Sequence, residues 1–191
     1  EDGIKGTDIR PFLVPFSWEL TLEENEMSKI SIKDYAKDLD NFFNRKGDFF
    51  EKYFLPVVKK IKIKNKGYRI ELNKLKSSYL NLRKTLDDKP VIYYFNYNRG
   101  LLENISELCD EIMEYYTILN LFGDDKKKLI HTGLMHSSKI IKSLTNSYDF
   151  EIVYQNGINN INNFSGKSTS CISLPADLFE KWIKNKFLIH F

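Results

Sequence analysis

Apolar side chains recur every third or fourth residue between positions 32 and 62, at Tyr35, Leu39, Phe42, Phe43, Phe49, Phe50, Tyr53, Phe54, Val57, Val58 and Ile61. That spacing lines them along one side of a helix. It predicts two amphipathic helices broken near Arg45-Lys46-Gly47-Asp48, with Pro56 as a kink or boundary. The same period returns from Arg69 to Leu86 through Ile70, Leu72, Leu75, Tyr79 and Leu82, behind the turn Asn65-Lys66-Gly67. It is clearest from Leu101 to Phe122, where Leu102, Ile105, Leu108, Ile112, Met113, Tyr116 and Leu119 form one stripe that Gly123-Asp124-Asp125 ends. The aromatic run from Val91 to Tyr97 fits either a strand or the approach to this helix.

The pattern changes at both ends of the chain. GTDIRPFLVPFSWEL reads as a short strand leaving through a proline-containing loop, which would put Asp8 and Arg10 on one face. KKKLIHTG reads as a strand, HSSKIIKSLTNS as a helix capped by Ser137 or Ser138, and YDFEIVYQ as an alternating strand. Strand, helix and strand in that order meet the requirement for a parallel crossover. The polar stretch NGINNINNFSGKSTS predicts a loop, and PADLFEKWIKNKF a closing helix with proline in its first turn. The expected fold class is therefore α/β: one domain over 1–191, a small, largely parallel sheet flanked by helices, with 32–86 as a helical insertion or lid.

Composition narrows the function classes. The 191 residues are 42% hydrophobic, enough to bury a core, and 29 basic against 26 acidic side chains leave a net charge of only +3. On that balance nucleic acid is not an expected partner. Cys109 and Cys171 lie far apart with no CxxC spacing, which suits a reducing compartment and indicates neither a disulfide framework nor a zinc knuckle. No apolar window is long enough for a membrane span, and no signal peptide is visible. The start at Glu1-Asp2-Gly3, without methionine, leads us to expect a processed product or a part of a longer chain.

Candidate chemistry concentrates in LIHTGLMHSS. His131 would end a strand, Gly133 would allow a tight turn, and His136 would open the next helix, where an imidazole is poised for acid–base work and an anion is attracted. The plainer explanation is a packed histidine followed by an N-terminal helix residue. Histidines five apart do not share a helical face, so a metal here would need a carboxylate from elsewhere. Arg10 beside Asp8 could grip an anionic substrate, or the two could form a strand-edge ion pair. Asp110 and Glu114, four apart, could serve as acid and base or hold a metal, or could line a solvated helix face. SGKSTS resembles the end of a phosphate-binding loop, but Ile161 stands where that motif needs glycine. The runs KKIKIKNKGYR and DDKKKL are short and basic, and usually such runs are simply solvated.

TDIRP, IMEYYTILNLF and LIHTGLMHS, in this order, resemble a set of uncharacterised proteins of giant nucleocytoplasmic DNA viruses. These share an Asp-x-Arg strand, a helix with Ile-Met-Asp followed by Tyr and Phe, and a strand running into Gly-x-x-His. The Gly-x-x-His turn is also similar, more distantly, to one in the erythromycin-esterase and TraB/Tiki-like hydrolases, an α/β group with His, Glu and Arg as site residues. The likeness covers positions 6–16 and 112–155, and it marks Asp8, Arg10, Tyr116, Gly133 and His136. It departs at Glu114 (expected Asp), Asn120 (often Arg) and Leu134 (often polar or acidic), which removes charge from any site.

Two functions follow as expectations. The first is a non-catalytic virion component or protein-interaction module, in the virion or the host cytoplasm, with viral or host proteins as partners. The alternative is a hydrolase. It would use His136 or His131 as general base, Glu114 or Asp110 to orient that base or bind a metal, and Arg10 with Asp8 to hold an anionic group. Tyr116 and Gly133 would then line the substrate. No nucleophile is evident, and no cofactor is specified.

Overall fold

The computed structural model describes residues 5–21, 23–61, 66–122 and 128–153. The chain forms two compact units, Glu1–Gly123 and Asp124–Phe191. In the first, the described helices are α1 (Glu24–Lys29), α2 (Ile32–Tyr35), α3 (Lys37–Phe43), α4 (Leu55–Lys60), α5 (Lys66–Arg83), α6 (Val91–Tyr97) and α7 (Arg99–Leu119); in the second lies α8 (Leu134–Ser147). The α/β expectation is overturned: the fold is helical, and no strand occurs among the described residues.

Each expected strand failed for a local reason. Pro11 and Pro15 cannot donate to a ladder, and the chain makes a 3-10 turn at Arg10–Phe12 instead. Residues 128–133 run without regular structure into α8, and the preceding 125–127 lie outside the described residues. At Tyr148 the alternating pattern turns out to be a helix terminus. Asp149 takes a left-handed conformation (φ 59°), and the amides of Tyr148 and Phe150 both donate to the Leu144 carbonyl at 3.2 Å. The chain reverses there instead of extending, and alternation alone does not make a strand without a second one to pair with. The ambiguous aromatic run is helix α6. The expected loop after residue 155 and the helix over 175–187 lie outside the described residues, as does Cys171.

The helical expectations fared better. The break near Arg45 is a turn with positive φ at Arg45 (59°) and Gly47 (87°), which stops α3 and redirects the chain. Beyond it Phe50–Phe54 form a π-helical turn leading directly into α4, with the Leu55 amide donating to the Phe50 carbonyl. Pro56 sits at that junction, where its missing N–H is tolerated. The wider turn lets Phe49 and Phe54 both be buried.

Helix α7 is the axis of the first unit. Leu102, Ile105 and Ile112 are fully buried, and from Ile112 to Leu119 every residue is buried, which makes its second half a core helix with no solvated face. α5 packs along it with Leu75, Tyr79 and Leu82 buried, the Tyr79 ring stacking on Phe43 of α3, and α6 also packs on α7. The helix ends at Leu119, three residues before the expected stop, where Asn120 turns its side-chain amide back to the Tyr116 carbonyl at 2.7 Å.

α2 is held at its start by Ser31, whose Oγ accepts from the Asp34 amide at 3.0 Å and donates to the Asp34 carboxylate at 2.8 Å. Ser31 also forms an isolated antiparallel bridge with Pro90, which ties α2 to the start of α6. Ser31→Ala should lower the stability of the first unit by about 1 kcal/mol, read from the urea midpoint. An unchanged midpoint would show that the bridge alone holds this junction.

Candidate functional site

The residues nominated from the N-terminal segment come together on α7. Lys5 to Leu13 run along the second half of that helix as a strap. Lys5 donates from Nζ to the Asn120 side-chain oxygen, and its charge lies 5.4 Å from the centre of the Tyr116 ring. Thr117 Oγ1 bonds Thr7 Oγ1 at 2.9 Å, and Ile9 and Leu13 are buried.

Arg10 lies at the centre of the strap. Its Nε and Nη2 donate to the two carboxylate oxygens of Asp8 at 2.9 and 2.7 Å, and its Nη1 donates to Asp110 Oδ1 at 3.0 Å. The hydrogen bonds that Arg10 donates to Asp8 lead the effects that hold the guanidinium in its charged form, with Asp110 adding to them. A planar fork clasped by two carboxylates is already answered, and the two carboxylates are answered by it. The arrangement fastens the strap to the helix. An incoming anion would have to displace Asp8 or Asp110 first.

The other α7 candidates are buried. Glu114, one turn beyond Asp110, is 7% exposed, and Tyr116 is 2% exposed, its ring packed 6.0 Å from Phe49 and 6.4 Å from Phe54. Tyr116 is thus part of the aromatic core.

The histidines lie in the second unit. His131 is exposed in the segment before α8, and His136 is half-buried in the first turn of that helix. Gly133 is the residue before the helix, with φ −64° and ψ 158° and nothing within 4 Å of where a Cβ would stand. Its backbone is one any residue can adopt, so the tight turn expected of it is not made. α8 accordingly starts earlier than a Ser137 or Ser138 cap would require. Ser137 lies inside the first turn, its amide donating to the Gly133 carbonyl at 2.9 Å and its Oγ to the Thr132 carbonyl at 3.2 Å.

No protein-family model, curated protein or solved structure matches the chain. What it does must therefore be argued from its own residues. Among the described residues no group of three or more His, Cys, Asp or Glu side chains is placed to hold a metal ion. Among them, too, no helix is long and apolar enough to cross a membrane.

One polar cluster escaped the sequence reading. Asp40 of α3 accepts from the Tyr79 hydroxyl and from Asn44 Nδ2 at 2.8 Å, and pairs with Arg83 Nε at 3.3 Å. Tyr79 is buried, with its ring stacked on Phe43 at 4.4 Å. Its hydroxyl needs an acceptor, and Asp40 supplies it. The available signal was a tyrosine within an otherwise aliphatic stripe on α5.

Proposed function

We propose that this chain is a non-catalytic viral protein, a virion component or protein-interaction module, whose charged residues serve to hold its helices together. The observation that supports this best is the closed Arg10–Asp8–Asp110 set. Its geometry suits a fastening between strap and helix, with Arg10 already committed to two carboxylates. Burial of Tyr116 among Phe49 and Phe54 supports the same reading.

The test pairs stability with turnover. Arg10→Ala should lower stability by about 1 kcal/mol, since the pair is part-exposed and screened. The wild-type chain, Arg10→Ala and His136→Ala should be equally inactive on a panel of ester, amide and phosphoester substrates. Turnover by the wild type that His136→Ala abolishes while the fold is intact would overturn the proposal and establish the hydrolase alternative. On the positive side, quantitative mass spectrometry of purified particles of the encoding virus should find the chain at a fixed ratio to the capsid protein, or cross-linked to a defined protein in infected cells.

A further inference from the structure

Between Lys59 and Lys84 the sequence carries ten basic residues and one acid, Glu71. That is a net charge of +9 in a chain whose total is +3, so all other residues together carry −6. The small overall charge hides a strong asymmetry. Helix α5 displays much of it. Its apolar side, through Leu75, Tyr79 and Leu82, is buried, which leaves the opposite side to solvent.

On the open side Arg69, Lys76 and Arg83 are exposed and follow each other at seven-residue intervals. Seven residues is almost two full turns, so the three lie nearly in line with steps of about 10.5 Å. Exposed Asn73, Ser77 and Asn81 add neutral hydrogen-bonding groups to the same open side, which also carries the partly exposed Ile70 and Leu80. Lys74 is paired with Glu71 and Arg83 with Asp40. Arg69, Lys76 and Lys84 have no acidic partner among the described residues.

The chemistry of this face selects among polyanions. A helix lying in a membrane surface would insert its apolar side, but that side of α5 is packed in the core. A binder of single strands needs exposed rings on which bases stack, yet Tyr79 is buried and Tyr68 half-buried, and the described part of α5 has no other aromatic residue. Cations in a straight row with Asn and Ser beside them match phosphate contacts, which position a duplex without reading its sequence. We propose that the open face of α5 binds the phosphate backbone of double-stranded nucleic acid. The expectation against nucleic acid rested on charge averaged over the chain. Within Glu1–Gly123 the remaining residues carry −9, which would repel a polyanion from the other surfaces of that unit and favour this face. The proposal does not depend on whether the protein is catalytic.

The test is fluorescence anisotropy of the full chain with a labelled duplex of about 20 base pairs over a salt series. For phosphate contacts from Arg69, Lys76 and Lys84, log affinity should fall against log salt with a slope of about −3. Arg69→Gln/Lys76→Gln should weaken binding roughly tenfold or more and reduce the slope by about 2. Lys29→Gln/Lys33→Gln, with the same charge change on α1 and α2, should leave both values near wild type. All four positions are exposed, and circular dichroism should show unaltered folds. No binding at low salt would overturn the proposal. So would equal losses in the two double variants, which would leave net charge as the sole cause. Tighter binding to phosphatidylserine vesicles than to duplex at matched salt would overturn it in favour of a membrane surface.

Discussion

Stability should collapse as the pH rises from about 9 to about 12, with a slope that steepens above pH 10. Four groups drive this. Burial pushes the Cys109 thiol from its ordinary 9.0 up to about 12, and burial followed by the hydrogen bond to Asp87 pushes Tyr94 from 10.0 to about 12. Tyr35 and Tyr79 are raised further, each chiefly by burial. The neighbouring Cys109 adds to the shift at Tyr35, and the Asp40 carboxylate to that at Tyr79.

A raised folded-state pKa means that the folded chain keeps a proton which the unfolded chain releases. Below the unfolded value both states are protonated and the full stability is present. Above it, each such group lowers stability until the folded pKa is reached, by up to about 1.4 kcal/mol per pH unit for the enclosed Cys109 and Tyr35 and by less for Tyr79 and Tyr94, whose hydroxyls are screened by solvent. Cys109 alone, held up by burial, accounts for a loss on the order of a few kcal/mol, a large share of the roughly 5–15 kcal/mol that holds a domain together. Urea midpoints measured from pH 8 upward would check this. Cys109→Ala should flatten the section between pH 9 and 10 and make the section above it shallower, leaving there the slope due to the tyrosines. A stability that is level up to pH 11 would mean that these groups are hydrated in the folded state.

Phe54→Ala should cost about 3–5 kcal/mol, which in a marginally stable unit can abolish folding. Phe54 is 2% exposed and lies at the meeting point of the π-helical turn and α7, with ring centres 4.9 Å from Phe42, 5.5 Å from Phe50, 6.0 Å from Tyr115 and 6.4 Å from Tyr116. Removing the ring leaves a cavity walled by other rings, which cannot collapse into it without leaving their own rotamers. Phe54→Leu keeps much of the volume and should cost about half as much. Thermal and urea unfolding of both variants would check the order. A loss below about 1 kcal/mol for the alanine would mean that the aromatic cluster rearranges freely.

Periodicity was readable wherever a helix buries one side against a neighbour. α5 and α7 follow from the spacing of their apolar residues, and the turn at Arg45–Gly47 from a glycine in a polar break. The strands were misread because a strand needs a second strand to pair with, which alternation along one segment does not reveal. Phe150 and Ile152 alternate as a strand would, but Asp149 is left-handed and the Phe150 amide closes the end of α8 on the Leu144 carbonyl. The same limit applies to the candidate site. Asp8 and Arg10 were legible as a pair because only Ile9 separates them. That Asp110 completes their set could not be read, since it lies a hundred positions away and no local pattern marks it. Tyr116 and Glu114 look alike in sequence whether they line a cleft or lie in a core.

The strap joins the first residues of the chain to a helix that is synthesised last in its unit. Thr7 meets Thr117 across 110 positions and Arg10 meets Asp110 across 100. At about 5–20 residues per second, a ribosome would need on the order of 5–20 s to deliver the partner helix after the strap has emerged. Through that interval Ile9 and Leu13 lack the part of the core that α7 supplies, while Phe12 can already meet Phe49 and Tyr53. Closing so long a loop also costs entropy that only the finished core offsets, so the docking of the strap belongs to the end of folding. An early cleavage within the first dozen residues would then remove a fastening and leave the helices above it already assembled.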